Sequence, residues 1–96
     1  MALLVSARAK RDLDDIWYEV AVGSGSEERA NAQLDAIGRV LRLIGEYPLL
    51  GRHRPDLREG LRSFPVGSYI ILYRADGGTA KVLHVLPAMR DIVSLI

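Results

Sequence analysis

GRHRPDLREGLRSFPVGSYIILYR, residues 51–74, passes from a charged, turn-rich approach into two extended runs. Leu61 to Val66 and Ser68 to Arg74 are rich in aromatic and branched residues, and Pro65 with Gly67 marks a break between them. A third run, Ala80 to Leu86, follows Asp76-Gly77-Gly78, a strong hairpin signal because glycine accepts the positive φ of a tight turn. The three runs read as an antiparallel meander.

Upstream the period changes. Ala2 to Val5 is a short apolar run and Ser6 a good helix N-cap. Ala9, Leu13, Ile16, Trp17 and Val20 then form a helical stripe over roughly residues 6 to 22. Gly23-Ser24-Gly25-Ser26 stops that helix, and Ser26 caps a second one, with Glu27 and Glu28 toward the positive end of its dipole. Ala30, Leu34, Ile37, Leu41 and Ile44 give the second helix its apolar face, which ends near Gly45 and Pro48. Two amphipathic helices joined by about four residues make an antiparallel hairpin. The expected fold is α+β, in the order β-α-α-β-β-β. The helical hairpin covers a small, mostly antiparallel sheet, the first strand lies at an edge, and a short tail runs from Pro87 to Ile96.

The chain of 96 residues reads as one domain, 1–96. With 49% hydrophobic and 26% charged residues it has the composition of a folded protein. It has no cysteine, which excludes disulfides and thiolate metal sites. The opening MALLV is too short for a signal-peptide core, and no apolar run approaches a membrane span, so a soluble, cytoplasmic protein is expected. Net charge is +1 but unevenly placed. Residues 1 to 48 hold six Lys and Arg against eight Asp and Glu, and residues 49 to 96 hold seven against four. An acidic helical part and a basic sheet part imply two surfaces with different potentials.

Few residues suggest catalysis. His53 and His84 lie 31 positions apart without metal-ligand spacing. No G-x-S-x-G elbow accompanies His84, which sits in an expected strand with no evident orienting carboxylate and reads as a packed or surface histidine. The Gly23–Ser26 quartet lacks the lysine of a phosphate loop and reads as a helix-helix turn. Asp12, Asp14, Asp15 and Glu19 fall on the polar side of the first helix and read as a solvated face. Trp17 joins the apolar stripe; Tyr18 is either core rim or docking surface. The arginines admit two readings. Arg52, Arg54, Arg58, Arg62 and Arg74 either solvate the fold beside Asp56 and Glu59 or form a site for acidic groups, phosphate or carboxylate.

Four phrases carry a resemblance: A-x-x-D-L-x-x-I at Ala9 to Ile16, P-x-x-G-R at Pro48 to Arg52, L-R-S-F-P-V-G-S-Y-I-I-L-Y-R at Leu61 to Arg74, and M-R-D at Met89 to Asp91. With the order of elements, they make the chain resemble the ParE branch of the RelE/ParE toxin superfamily, the toxin half of bacterial type II toxin–antitoxin modules, over nearly its whole length. The resemblance implies a non-enzymatic toxin that needs no cofactor or metal, traps DNA gyrase on cleaved DNA and is neutralised by a ParD-like antitoxin. It suggests a heterotetramer or larger complex, and neither membrane attachment nor direct sequence-specific nucleic acid binding is expected. On this reading Trp17, Leu34, Ile37 and Leu41 serve the core or an antitoxin groove. Arg52, Arg54, Arg62 and Arg74 form a basic patch for antitoxin or target, and Met89, Arg90 and Asp91 belong to a tail needed for toxicity.

The alternative within the superfamily is a RelE-like, ribosome-dependent mRNA endonuclease, which needs cations at the scissile phosphate and a proton-transfer group. Here Ile70 stands after Tyr69 where RelE-like enzymes tend to carry arginine, and Ser94-Leu95-Ile96 offers no Tyr or His, which leaves Arg62 and Arg90 as phosphate ligands without an acid or base. One departure touches the ParE pattern: His84-Val85-Leu86-Pro87 replaces an R-V-L-H-like phrase, which puts toxicity or target choice in question. A non-toxic remnant that only binds antitoxin is the third reading.

Overall fold

The structure, a computed structural model, describes residues 2–89 and 92–96. Its elements are β1 (Ala2–Val5), α1 (Ala7–Ser24), α2 (Glu27–Glu46), β2 (Arg52–His53), β3 (Leu61–Val66), β4 (Tyr69–Asp76), β5 (Thr79–Pro87) and α3 (Ile92–Leu95). They bear out the expected β-α-α-β-β-β order and add two pieces, β2 and α3, each too short to show a period in sequence.

Both N-caps form as the sequence implies. The Ser6 hydroxyl accepts the Ala9 amide at 3.0 Å and donates to the Leu83 carbonyl at 3.1 Å, which fastens the start of α1 to β5. Ser26 accepts from the Arg29 amide at 3.2 Å. The first helix runs two residues past the expected stop at Gly23. The true stop is Gly25, whose φ of 68° is the left-handed conformation that ends a helix. Past α2, the Tyr47 amide closes the last turn on the Leu43 carbonyl at 2.9 Å.

The five strands lie in the order β1-β5-β4-β3-β2, with β1 parallel to β5 and every other pair antiparallel. The Gly77-Gly78 turn has φ of 56° and 85°, the pair of positive values that matches the strand twist in a two-residue hairpin. Pro65 does not break the sheet. It pairs with Ile70, and because β2 reaches only Arg62 and Ser63, β3 is an edge strand at Pro65, where a residue without an N–H is tolerated.

One face of the sheet packs Ile71, Tyr73, Ala80, Val82 and Val85 against Ala9, Ile16, Ile37, Leu41 and Ile44 of the hairpin. Complete burial of each of the larger aliphatic side chains contributes about 1.5–3 kcal/mol. The other face carries Leu61, Ile70, Leu72 and Leu86, covered by Leu57 from the loop before β3 and by Ile92 and Ile96 from the C-terminal segment. That segment, expected as a plain tail, therefore closes the second face. Among the described residues no helix is long and apolar enough to cross a membrane.

Candidate functional site

The arginines divide between the two faces of the sheet. Arg62 stands opposite Tyr73, a core residue of the helix-covered face, whereas Arg74 stands opposite Leu61 of the other face. Each is engaged by a carbonyl of the 47–60 loop region. Arg62 Nη1 donates to the Gly51 carbonyl at 2.8 Å and to that of Leu49 at 3.3 Å, and Arg74 Nη2 donates to that of Glu59 at 3.0 Å. Arg58 donates to the carbonyl of Ile96. Arg54 forks onto Asp56, with Nε to Oδ1 at 3.1 Å and Nη2 to Oδ2 at 3.0 Å, and reaches Ser63 Oγ at 3.3 Å through Nη1. The Arg54 hydrogen bond holds the Asp56 carboxyl below its ordinary range, and the same contact raises Arg54. Arg52 is exposed on β2. Four of the five arginines thus brace loops or the chain end.

Tyr73 is the centre of that bracing. It is fully buried, its hydroxyl accepts the Gly51 amide at 2.7 Å and donates to the Pro48 carbonyl at 2.9 Å, and burial pushes its phenol above the ordinary value. Gly51 is required there, because a Cβ at that position would lie 2.5 Å from Tyr73 Oη and 2.9 Å from the Ser63 carbonyl oxygen. Between Leu43 and Leu50, Ile44 and Pro48 are buried while Tyr47 is 59% and Leu49 71% exposed, with Leu43 and Leu50 also in solvent. Arg39 and Arg42 are exposed on the last turns of α2 and Arg52 on β2, with carboxylates at Glu46 and at Asp56, which is held by Arg54 and also feels Arg52.

Of the residues assigned to a groove, Ile37 and Leu41 are wholly inside the core and Leu34 is partly buried against it. Trp17 is half-buried, and its Nε1 donates to Asn31 Oδ1 at 2.8 Å, which ties α1 to α2. Tyr18 and Val22, one turn apart on α1, are exposed instead. Tyr47, Leu49 and Leu50 escaped the periodicity argument because they lie beyond the helix end. The available signal was three apolar side chains around Pro48 in a segment with no period to bury them. Met89 is 94% exposed, while Arg90 and Asp91 lie outside the described residues.

Asp12 corrects the solvated-face reading. Its side chain is buried, and Oδ2 accepts the Val85 amide at 3.0 Å while Oδ1 pairs with Arg8 Nε at 3.2 Å. Strand β1 pairs with β5 only as far as Val82, so the carboxylate takes a main-chain donor that β1 does not reach. His84 accordingly has a carboxylate beside it, which the sequence did not reveal. Its Nδ1 lies 3.7 Å from Asp12 Oδ2, too far for a hydrogen bond, and is a buried nitrogen without a partner. Burial lowers the imidazole pKa more than Asp12 raises it, so the ring is neutral at pH 7. An open cleft of about 80 Å³ between α1 and the end of β5 is lined by Arg8, Asp12, Asp15, Glu19 and Pro87 among others, and not by His84. With both oxygens engaged by structure, Asp12 caps the edge of β5. Among the described residues no group of three or more His, Cys, Asp or Glu is placed to hold a metal.

Residues 3–92 match the family described as ParE toxin of type II toxin-antitoxin system, parDE. Toxin ParE3 of Caulobacter vibrioides is 36% identical over 83 residues, which is 86% of this chain and 82% of that protein. Toxin ParE1 of the same organism is 34% identical over 82 residues, 85% of this chain and 83% of the relative. Among solved structures, the chromosomal ParDE TA system from P. aeruginosa shares the fold with a TM-score of 0.79 at 22% identity, over 91% of this chain and 95% of that one. The meander, the helical hairpin and the matched span agree: this chain belongs to the ParE toxin family of type II toxin–antitoxin systems.

Proposed function

We propose that this protein acts in the cytoplasm by poisoning DNA gyrase, without enzymatic chemistry of its own, and is held inactive by a ParD-like antitoxin in a heterotetramer or larger complex. The carrying observation is a set of apolar side chains left in solvent at the end of α2 and in the loop after it, Leu43, Tyr47, Leu49 and Leu50, with Arg39, Arg42 and Arg52 also exposed in the same stretch, in a chain of this family. Such a surface suits a partner segment that lays apolar anchors along the hairpin. Tyr18 and Val22 form a separate exposed apolar pair near the turn between the helices, at the other end of the hairpin. Arg52 and the unengaged N–H groups of Arg54, Arg62 and Arg74 supply charge-assisted contacts to acidic residues of antitoxin or target. The segment from Met89 to Asp91 is the part assigned to toxicity. The engagement of Arg62 and Arg74 by main-chain carbonyls favours binding over phosphate cleavage, because a nuclease needs those cations free at the scissile group.

The test is a supercoiling and DNA-cleavage assay with purified gyrase, with the protein added alone and then with its antitoxin. Accumulated cleaved DNA that the antitoxin suppresses is the expected result. Unaltered gyrase together with cleavage of ribosome-bound mRNA would overturn the reading in favour of a nuclease. Antitoxin binding without growth arrest would identify a remnant.

A further inference from the structure

We infer that the loop from Tyr47 to Arg52 is a preorganised docking knob for an acidic-flanked apolar segment of the antitoxin, and that Tyr73 and Arg62 are its positioning residues. This rests on the antitoxin reading above and assigns the place and the geometry of the contact. Four side chain to main chain hydrogen bonds converge on residues 48–51, two from Tyr73 and two from Arg62. The same short segment turns Leu49 and Leu50 outward. A loop fixed from beneath by a fully buried tyrosine loses little further freedom when a partner binds, which raises affinity without adding a contact.

The charge around the knob selects the occupant. Leu43 lies one helical turn beyond Arg39, and Tyr47 one turn beyond Leu43, so a basic residue continues the apolar stripe along α2. Arg42 and Arg52 are also exposed; the acidic residues among them are Glu46 and Asp56, and because Asp56 is already paired with Arg54 the surface stays net basic. A segment with carboxylates on both sides of one or two large apolar residues complements this surface in both respects. A purely apolar segment would leave the arginines unanswered, and a nucleic acid would leave the leucines so.

The experiment uses the full chain and the purified ParD-like antitoxin of its own module, with affinity read by titration calorimetry. Leu49→Asp, at an exposed position, is expected to weaken binding about 10-fold or more while leaving thermal stability unchanged. Tyr73→Phe removes both hydroxyl bonds and is expected to weaken binding about 3-fold to 10-fold, with faster hydrogen exchange at the Gly51 amide. In the double variant the Tyr73→Phe loss should largely vanish, because Tyr73 acts only through what the loop presents. Arg62→Met, at a half-buried site, repeats the test if Tyr73→Phe folds poorly. Wild-type affinity in Leu49→Asp overturns the docking site alone. Losses that multiply in the double variant overturn the positioning role. Absence of binding by the unaltered chain overturns the antitoxin reading and the knob together.

Discussion

Alanine at Gly51 would bring a Cβ to 2.5 Å from Tyr73 Oη, 2.6 Å from Tyr73 Cε1 and 2.9 Å from the Ser63 carbonyl oxygen. None of these neighbours yields easily. The ring is fully buried among core residues, and Ser63 is main chain in β3, paired on both sides. The loop must therefore move away. That movement costs about 1–3 kcal/mol as overpacking. Lifting the loop also breaks the hydroxyl bonds to Gly51 and Pro48 and leaves the buried phenol unsatisfied, a further 1–3 kcal/mol or so. A total of about 2–6 kcal/mol is a large part of the roughly 5–14 kcal/mol available to a domain of this size. At about 4–8 °C per kcal/mol, the melting temperature should fall by at least ~8 °C. Urea unfolding followed by circular dichroism measures the free energy directly. Adding Tyr73→Phe to Gly51→Ala should not restore stability, since Cε1 and the Ser63 carbonyl still obstruct the methyl. A loss under about 1 kcal/mol, or full rescue by the phenylalanine, would refute the clamp as described.

Gly38 presents the opposite case: it lies inside α2 with only Arg42 Nη1 near, at 3.7 Å, so Gly38→Ala should raise stability by about 0.5–1 kcal/mol in the same unfolding assay. Asp12→Ala should cost about 2–3 kcal/mol by stranding the Val85 amide, and Asp12→Asn clearly less because an acceptor oxygen remains. For His84 the folded-state pKa lies below the unfolded value of about 6.5, so the unfolded chain binds the proton more readily. Its contribution is full above that pH and is lost as pH falls through about 6.5 and below, and His84→Gln should flatten this part of the stability profile measured by urea titration at successive pH values. Trp17→Phe removes the bond to Asn31 at the hairpin surface and should lower stability by no more than about 1 kcal/mol, read from the shift in urea midpoint.

Reading the candidate site from sequence worked where local chemistry is self-contained. Ser6 and Ser26 cap their helices through amides only three residues away, and Gly77-Gly78 makes its turn within a few residues, so composition alone carried the information. It failed where partners are distant. Asp12 looked solvated because helical periodicity describes one helix at a time, and nothing in that period records that β1 ends short of Val85. The arginines looked like a patch because they are close in sequence, but strand alternation sends Arg62 and Arg74 to opposite faces and loop carbonyls then engage both.

The sequence by itself determined the order of elements, the two capped helices, the meander and the resemblance to ParE toxins, because these rest on periods, caps and turn residues that act over one to four positions. Tertiary structure alone decided which apolar side chains remain outside. Ile37 and Leu41 disappear into the core, while Leu49 and Leu50 are turned outward by a tyrosine more than twenty positions away. Burial is a competition among all the apolar side chains for one interior, and its outcome depends on the three-dimensional packing of segments that no local window contains.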